Sequence, residues 1–183
     1  MFILSAIPVG IGLGYLLGGR LDRLATLDFR WGGLAVAGLV AQLLLFSAPV
    51  AAVVGAAGPP LYLLSTVAVL AAVLRNVRRT PGLILVAIGA AANLAAIVAN
   101  GGVMPASAEA VATAGLAETA GFSNSVVLAD PALRPLTDIF ALPAAVPFAN
   151  VFSLGDVLIG LGIVVVLALG MRGRTAERRT PTT

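Results

Sequence analysis

Asn100-Gly101-Gly102-Val103-Met104-Pro105 ends one long apolar run, and Asn150-Val151-Phe152-Ser153-Leu154-Gly155-Asp156 opens the next. Between them lies the only long mixed interval in a chain that is otherwise almost continuous hydrocarbon. The segment after the second stretch decides how the apolar runs are used. Val157 to Met171 would rise only ~22 Å as a helix, short of a hydrocarbon core of about 30 Å. Ser153, with an acid three positions later, is a capping-box signature, and Asp156 there complements the positive end of the helix dipole. A helix from Leu154 to Met171 reaches ~27 Å, so Asp156 belongs to its first turn.

Composition points the same way. The chain has 183 residues, 60% hydrophobic and 10% charged, against about 25% charged in soluble domains. That is an integral membrane composition, and the expected fold is all-α. Cysteine, histidine and lysine are absent, and the 11 basic residues are all arginine. Thiolate, imidazole and Schiff-base chemistry are thereby excluded, as are zinc and haem sites of the usual kind. Neither a metal nor a cofactor is expected. The net charge of +3 does not signal nucleic acid, because the arginines stand at the ends of apolar runs rather than in one patch.

Five transmembrane spans are predicted, at 2–19, 34–54, 60–74, 83–99 and 154–171, within a single domain 1–171. In the first, Gly10, Gly14 and Gly18 fall four apart on one face, where a neighbouring backbone can approach. The basic N-terminal flank of a cleaved signal peptide is missing, which favours a retained helix. Gln42 in the second span needs a partner across helices. Gly58-Pro59-Pro60 starts the third, since proline is tolerated where the N–H would be unpaired. In the fourth, Ala91, Ala95 and Ala99 form a small-residue stripe. Asn93 and Asn100, two turns apart there, share a face and a packing role is expected for Asn93.

Arginine placement sets the orientation. Arg20, Arg23 and Arg30 separate spans one and two; Arg75, Arg78 and Arg79 separate three and four; Arg172, Arg174, Arg178 and Arg179 follow span five. All lie on one side of a five-span chain, which the positive-inside rule makes cytoplasmic, so the bundle is N-out and C-in. Residues 100–153 then form a cap of roughly 50 residues outside, between helices four and five, long enough for a lid or a plug. A short helix is expected from Ser107, its N-cap, to Ala120, ended by Gly121. Residues 172–183 read as a disordered basic tail on the cytoplasmic face, drawn to anionic lipid.

At both ends of the cap the chain resembles a bacterial family of multi-spanning membrane proteins known as domain of unknown function 5317. The resemblance rests on Asn100–Pro105, on Leu136-Thr137-Asp138-Ile139-Phe140-Ala141-Leu142-Pro143 and on Asn150-Val151-Phe152-Ser153-Leu154-Gly155-Asp156-Val157-Leu158-Ile159. It implies the bacterial plasma (inner) membrane as location and the same order of spans. It implies no activity.

Asn100, Arg134, Asp138, Asn150 and Asp156 are expected to converge at the outer mouth as a ligand-binding set, because carboxylates at membrane level mark functional sites. The competing expectation is structural: Ser153 and Asp156 cap a helix, and Arg134 with Asp138 holds a loop. Leu154-Gly155-Asp156 invites comparison with intramembrane aspartyl proteases, which need two carboxylates, yet no other span carries an acid. The leading expectation is a non-enzymatic subunit or scaffold of an envelope complex, with a lipid-sized site under the cap. Its partners would be membrane lipids and other membrane subunits or copies of itself. The alternative is a carrier of small solutes or lipids through the Asn100/Asn150/Asp156 mouth.

Overall fold

A computed structural model describes residues 2–116 and 125–173. The chain is mostly helical: α1 (Phe2–Leu16), α2 (Gly32–Leu45), α3 (Ala48–Val54), α4 (Gly58–Asn76), α5 (Leu83–Ala99), the short α6 (Ala108–Thr113) and α7 (Leu154–Arg172). Among the described residues, two helical runs are long and apolar enough to cross a membrane, Ala48–Asn76 and Leu154–Arg172; α1, α2 and α5 are shorter apolar helices.

The expected span 34–54 is divided in the structure. The α2 ladder stops at Leu45, and Ser47 stands in extended backbone at the start of α3 with a proline in its first turn. Proline there supplies no N–H to continue the preceding helix, so the break falls before Pro49. From Ala48 a helical run continues to Asn76 through a turn of 3-10 helix at Gly55–Ala57. Pro59 and Pro60 lie in the first turn of α4, where their missing donors cost little.

The main interfaces run in series: α2 against α4, α4 against α5, α5 against α7, and α7 against α1. Two glycine pairs set the closest of these. A Cβ on Gly89 would strike the Gly155 carbonyl, and one on Gly82 would lie 2.6 Å from the Gly162 carbonyl. Gly82, the N-cap of α5, and Gly89 within it are seven positions apart, as are Gly155 and Gly162 on α7, so the two segments touch backbone to backbone at both points. The alanine stripe plays no such part, since Ala91 and Ala99 are exposed. On α1, Gly10 faces Leu167 and Val164, and Gly14 faces Met171. Gly18 instead lies beyond the helix at φ +73° with open space around it, and Gly19 takes the contact with Met171. Between α2 and α4, Gln42 Nε2 donates to Thr66 Oγ1 at 3.3 Å beside the close approach of Gly38 to Val69.

One end of the array gathers the arginine-bearing connections. The Arg20 N–H donates to the Met171 carbonyl (2.7 Å), and Arg23 Nη1 donates to the Arg172 carbonyl (2.7 Å). Asn76, fully buried, holds both the N–H and the carbonyl of Arg30 with its side-chain amide. Asn76 is a buried polar anchor that sequence reasoning missed, because it sits among arginines at the end of an apolar run.

The other end is covered by the cap, which has regular structure. Strand β1 (Met104–Ala106) pairs in parallel with β2 (Ser125–Val127), Met104 opposite Ser125. Strands β3 (Phe140–Leu142) and β4 (Asn150–Phe152) form an antiparallel hairpin, Phe140 opposite Phe152. Ser107 caps α6, whose last turn is followed by Gly115 at φ +64°, so the helix ends well before Gly121. Residues 117–120 and Gly121 lie outside the described residues, as do 174–183. Ala106, Ala110, Ala114 and Val151 form a small core within the cap. Phe152 stacks on Phe2 of α1 (4.2 Å between centroids) and on Phe140 (5.5 Å), tying the cap to the first helix.

Candidate functional site

Three polar side chains gather at the start of α7. Ser153 is extended, as an N-cap must be, and its Oγ accepts from the Asp156 N–H at 3.0 Å. Asp156 Oδ2 accepts from the Ser153 N–H at 3.1 Å, completing a capping box. Asn93 on α5 closes the set: its Nδ2 donates to Asp156 Oδ1 (2.7 Å), and its Oδ1 accepts from Ser153 Oγ (2.8 Å). The contact is available only because Gly155 has no side chain; a Cβ there would collide with the Asn93 amide. Every polar atom of the three side chains is thereby engaged, as a poorly hydrated setting requires.

Asp138 arrives from the cap. Its backbone is fixed by donation to the Pro105 carbonyl (2.9 Å) and by acceptance from the Ser107 N–H (3.0 Å), in a bridge to β1. The residue is 5% exposed. Asp138 and Asp156 line one cavity of about 70 Å³ with Tyr62, Asn93, Ile97 and Met104. Ligand pockets run from about 300 to 1,000 Å³, so this one holds a few waters or a small ion and no lipid. This cavity is smaller than the lipid-sized space expected beneath the cap.

The other three expected site residues are placed elsewhere. Asn100 clamps the cap: Nδ2 donates to the Ala132 carbonyl and Oδ1 accepts from the Ala132 N–H, both at 2.9 Å. Asn150 belongs to β4, opposite Leu142. Arg134 is exposed in a 3-10 turn, and its carbonyl accepts from Thr137 Oγ1 at 2.8 Å. Thus the structure brings Asp138 to Asp156 and adds Asn93 and Tyr62, while Asn100, Arg134 and Asn150 do not line the cavity. The signal for Asn93 was its place in the middle of an apolar run; for Tyr62, a polar tip within the first turns of α4, there was little.

The chemistry open to this arrangement is narrow. Two carboxylates do reach one cavity, as an aspartyl protease needs, but both oxygens of Asp156 are held by Ser153 and Asn93, and a peptide cannot fit about 70 Å³. Among the described residues, no three of histidine, cysteine, aspartate and glutamate cluster as a metal site.

No curated protein and no solved structure matches the chain. A family model described as a family of unknown function (DUF5317) matches residues 26–168, which takes in α2 to α5, the cap and most of α7. The chain belongs to that family.

Proposed function

We propose that the chain is a five-span protein of the bacterial plasma membrane, N-terminus outside, and that it works without catalysis as a subunit or scaffold of an envelope complex. The observation that carries this reading is the uncovered apolar surface of the two outermost helices. Leu4, Val9 and Leu16 of α1 are 55%, 59% and 85% exposed, and Val36, Leu43 and Leu44 of α2 are 61%, 74% and 57% exposed. In water such flanks would be a large aggregation-prone patch; in a bilayer, acyl chains or partner helices cover them. Less than half of each long apolar helix is buried within the chain, unlike the core helix of a soluble protein. The closed network at Asn93, Ser153 and Asp156 supports a plug at the outer end rather than a path through it.

Orientation is testable because the chain has no cysteine of its own. Ala144→Cys in the cap is expected to react with a membrane-impermeant maleimide in intact cells, and Ala25→Cys only after lysis; the reverse pattern would end the N-out assignment. For the subunit reading, native mass spectrometry of gently extracted protein is expected to show a discrete species of fixed stoichiometry. A uniform 18.3 kDa monomer at every concentration would rule that reading out.

One observation favours the alternative carrier reading. Asp138 and Asp156 come from different elements to the same water-sized cavity, which suits passage of a small cation. Cation flux in proteoliposomes that is abolished by Asp138→Asn would support it over the scaffold reading.

A further inference from the structure

A cavity of about 720 Å³ lies at the arginine end, away from the cap. Three segments enclose it: the 3-10 turn at Leu21–Thr26 with the residues after it, the α4–α5 connection, and the last turns of α7. Among the described residues, Arg23, Arg79 and Arg172 line it, one from each segment, against one carboxylate, Asp28. The connection between these three arginines was invisible in sequence, where they read only as markers of orientation.

We infer that this cavity binds the phosphate of an anionic phospholipid. Each guanidinium carries five N–H donors in a planar fork suited to phosphate oxygens. Arg23 spends one on the Arg172 carbonyl, and that bond also quiets the negative end of α7, which would otherwise repel an anion. Arg79 meets Asp28 only loosely, at 3.8 Å, with the Arg79 side chain 43% and the Asp28 side chain 75% exposed. Such a contact is weak and exchanges readily for a better acceptor. Thr26 and Thr80 line the cavity as well, with the Thr26 hydroxyl donating to the Arg23 carbonyl at 2.7 Å. Leu27, Val166 and Leu169 add an apolar side, which a free phosphate would not use and the upper part of an acyl chain would. Gly170 leaves room on this side, since a Cβ there would come within 2.8 Å of Leu24 Cδ2 and 3.1 Å of Leu27 Cδ1, side-chain ends that would have to rotate. The volume falls within the range of ligand pockets, and a basic recess at helix ends is where anionic headgroups bind.

The inference rests on the membrane reading, and the test separates the two. Purified protein in nanodiscs of phosphatidylcholine is titrated with phosphatidylglycerol, and bound lipid is counted by native mass spectrometry. Phosphatidylglycerol should be retained at least about tenfold better than phosphatidylcholine. Arg172→Gln should remove most of that preference while sparing the hydrogen bond to the Arg172 backbone, and Arg23→Gln/Arg79→Gln should abolish it. Arg75→Gln/Arg78→Gln, which deletes two charges from the same end but outside the cavity, should leave it intact. Equal retention of both lipids by a well-folded, nanodisc-embedded chain, or equal loss in the Arg75/Arg78 variant, overturns the site and leaves the membrane reading standing. Competition by millimolar inorganic phosphate would assign the cavity to soluble phosphate and overturn the lipid. Failure to embed at all would count against the membrane reading itself.

Discussion

Asn93 and Asp156 are joined by a 2.7 Å hydrogen bond across the α5–α7 contact, and the same asparagine accepts from Ser153 Oγ. One amide therefore satisfies both members of a helix cap on its neighbour. Asn93→Ala leaves the Ser153 hydroxyl and one carboxylate oxygen of Asp156 with one partner fewer, beside a cavity that holds at most a few waters. The expected loss is about 1–2 kcal/mol, at the upper end for interhelical polar contacts. Thermal unfolding in nanodiscs measures it; an unchanged melting temperature would show that water fills the gap at no cost.

Gly155→Ala tests the close approach that makes this bond available. The added methyl meets the Asn93 amide and the Gly89 carbonyl, and the latter is backbone that cannot swing aside. Overpacking of this kind costs about 1–3 kcal/mol. Gly160→Ala on the same helix meets only Phe2 and Ala6 at 3.6 and 3.8 Å, ordinary contact distances. It should melt as the parent does, and equal destabilisation by both would deny the glycine pairing any special role.

These two helices also show what a sequence discloses and what it hides. The start of α7 is legible because Ser153 and Asp156 act on each other within four residues. The partner of that cap is not, since nothing local says that Asn93 crosses to α7 through the glycines rather than following the alanine stripe. The break at Ser47 is hidden for another reason: the apolar run resumes at once, and only Ser47 with Pro49 marks the new helix. In the cap, Asp138 looked like half of an ion pair with Arg134. Its actual place depends on the bridge to β1, a contact between residues over thirty positions apart in the chain. The 720 Å³ cavity is the extreme case, assembled from three segments that share nothing in sequence but arginine.

Asn76 supports a third prediction, at the opposite end of the array. Its side chain makes three hydrogen bonds, to the N–H and carbonyl of Arg30 and to the Ala72 carbonyl. Asn76→Leu keeps the volume but strands the Arg30 backbone groups in a part-buried site, at about 1–3 kcal/mol. Hydrogen exchange should rise at Arg30 and the first turn of α2 while the cap stays protected. Exchange confined to α4 would instead show that Asn76 serves only its own helix.

The cap is held by two fasteners of different kind, and they should fail separately. Asn100 grips the Ala132 backbone with two hydrogen bonds at 2.9 Å, while Phe152 stacks on both Phe2 and Phe140. Asn100→Ala removes a polar clamp that water can partly replace, so about 1 kcal/mol is expected, appearing as roughly fivefold faster exchange near Ala132. Phe152→Ala removes two ring stacks, each worth about 0.5–1.5 kcal/mol beyond the buried area, and its effect should fall on β3, β4 and the first turn of α1. Because Ser153 follows Phe152 directly, loss of the stack lets the N-cap of α7 move, and Asn93 with it. Phe152→Ala should therefore lower the melting temperature by more than Asn100→Ala, and combining it with Asn93→Ala should give less than the sum of the two. Strict additivity of that pair would mean that the aromatic fastener and the polar network beneath it are independent, and that the cap can lift without disturbing the helix it covers.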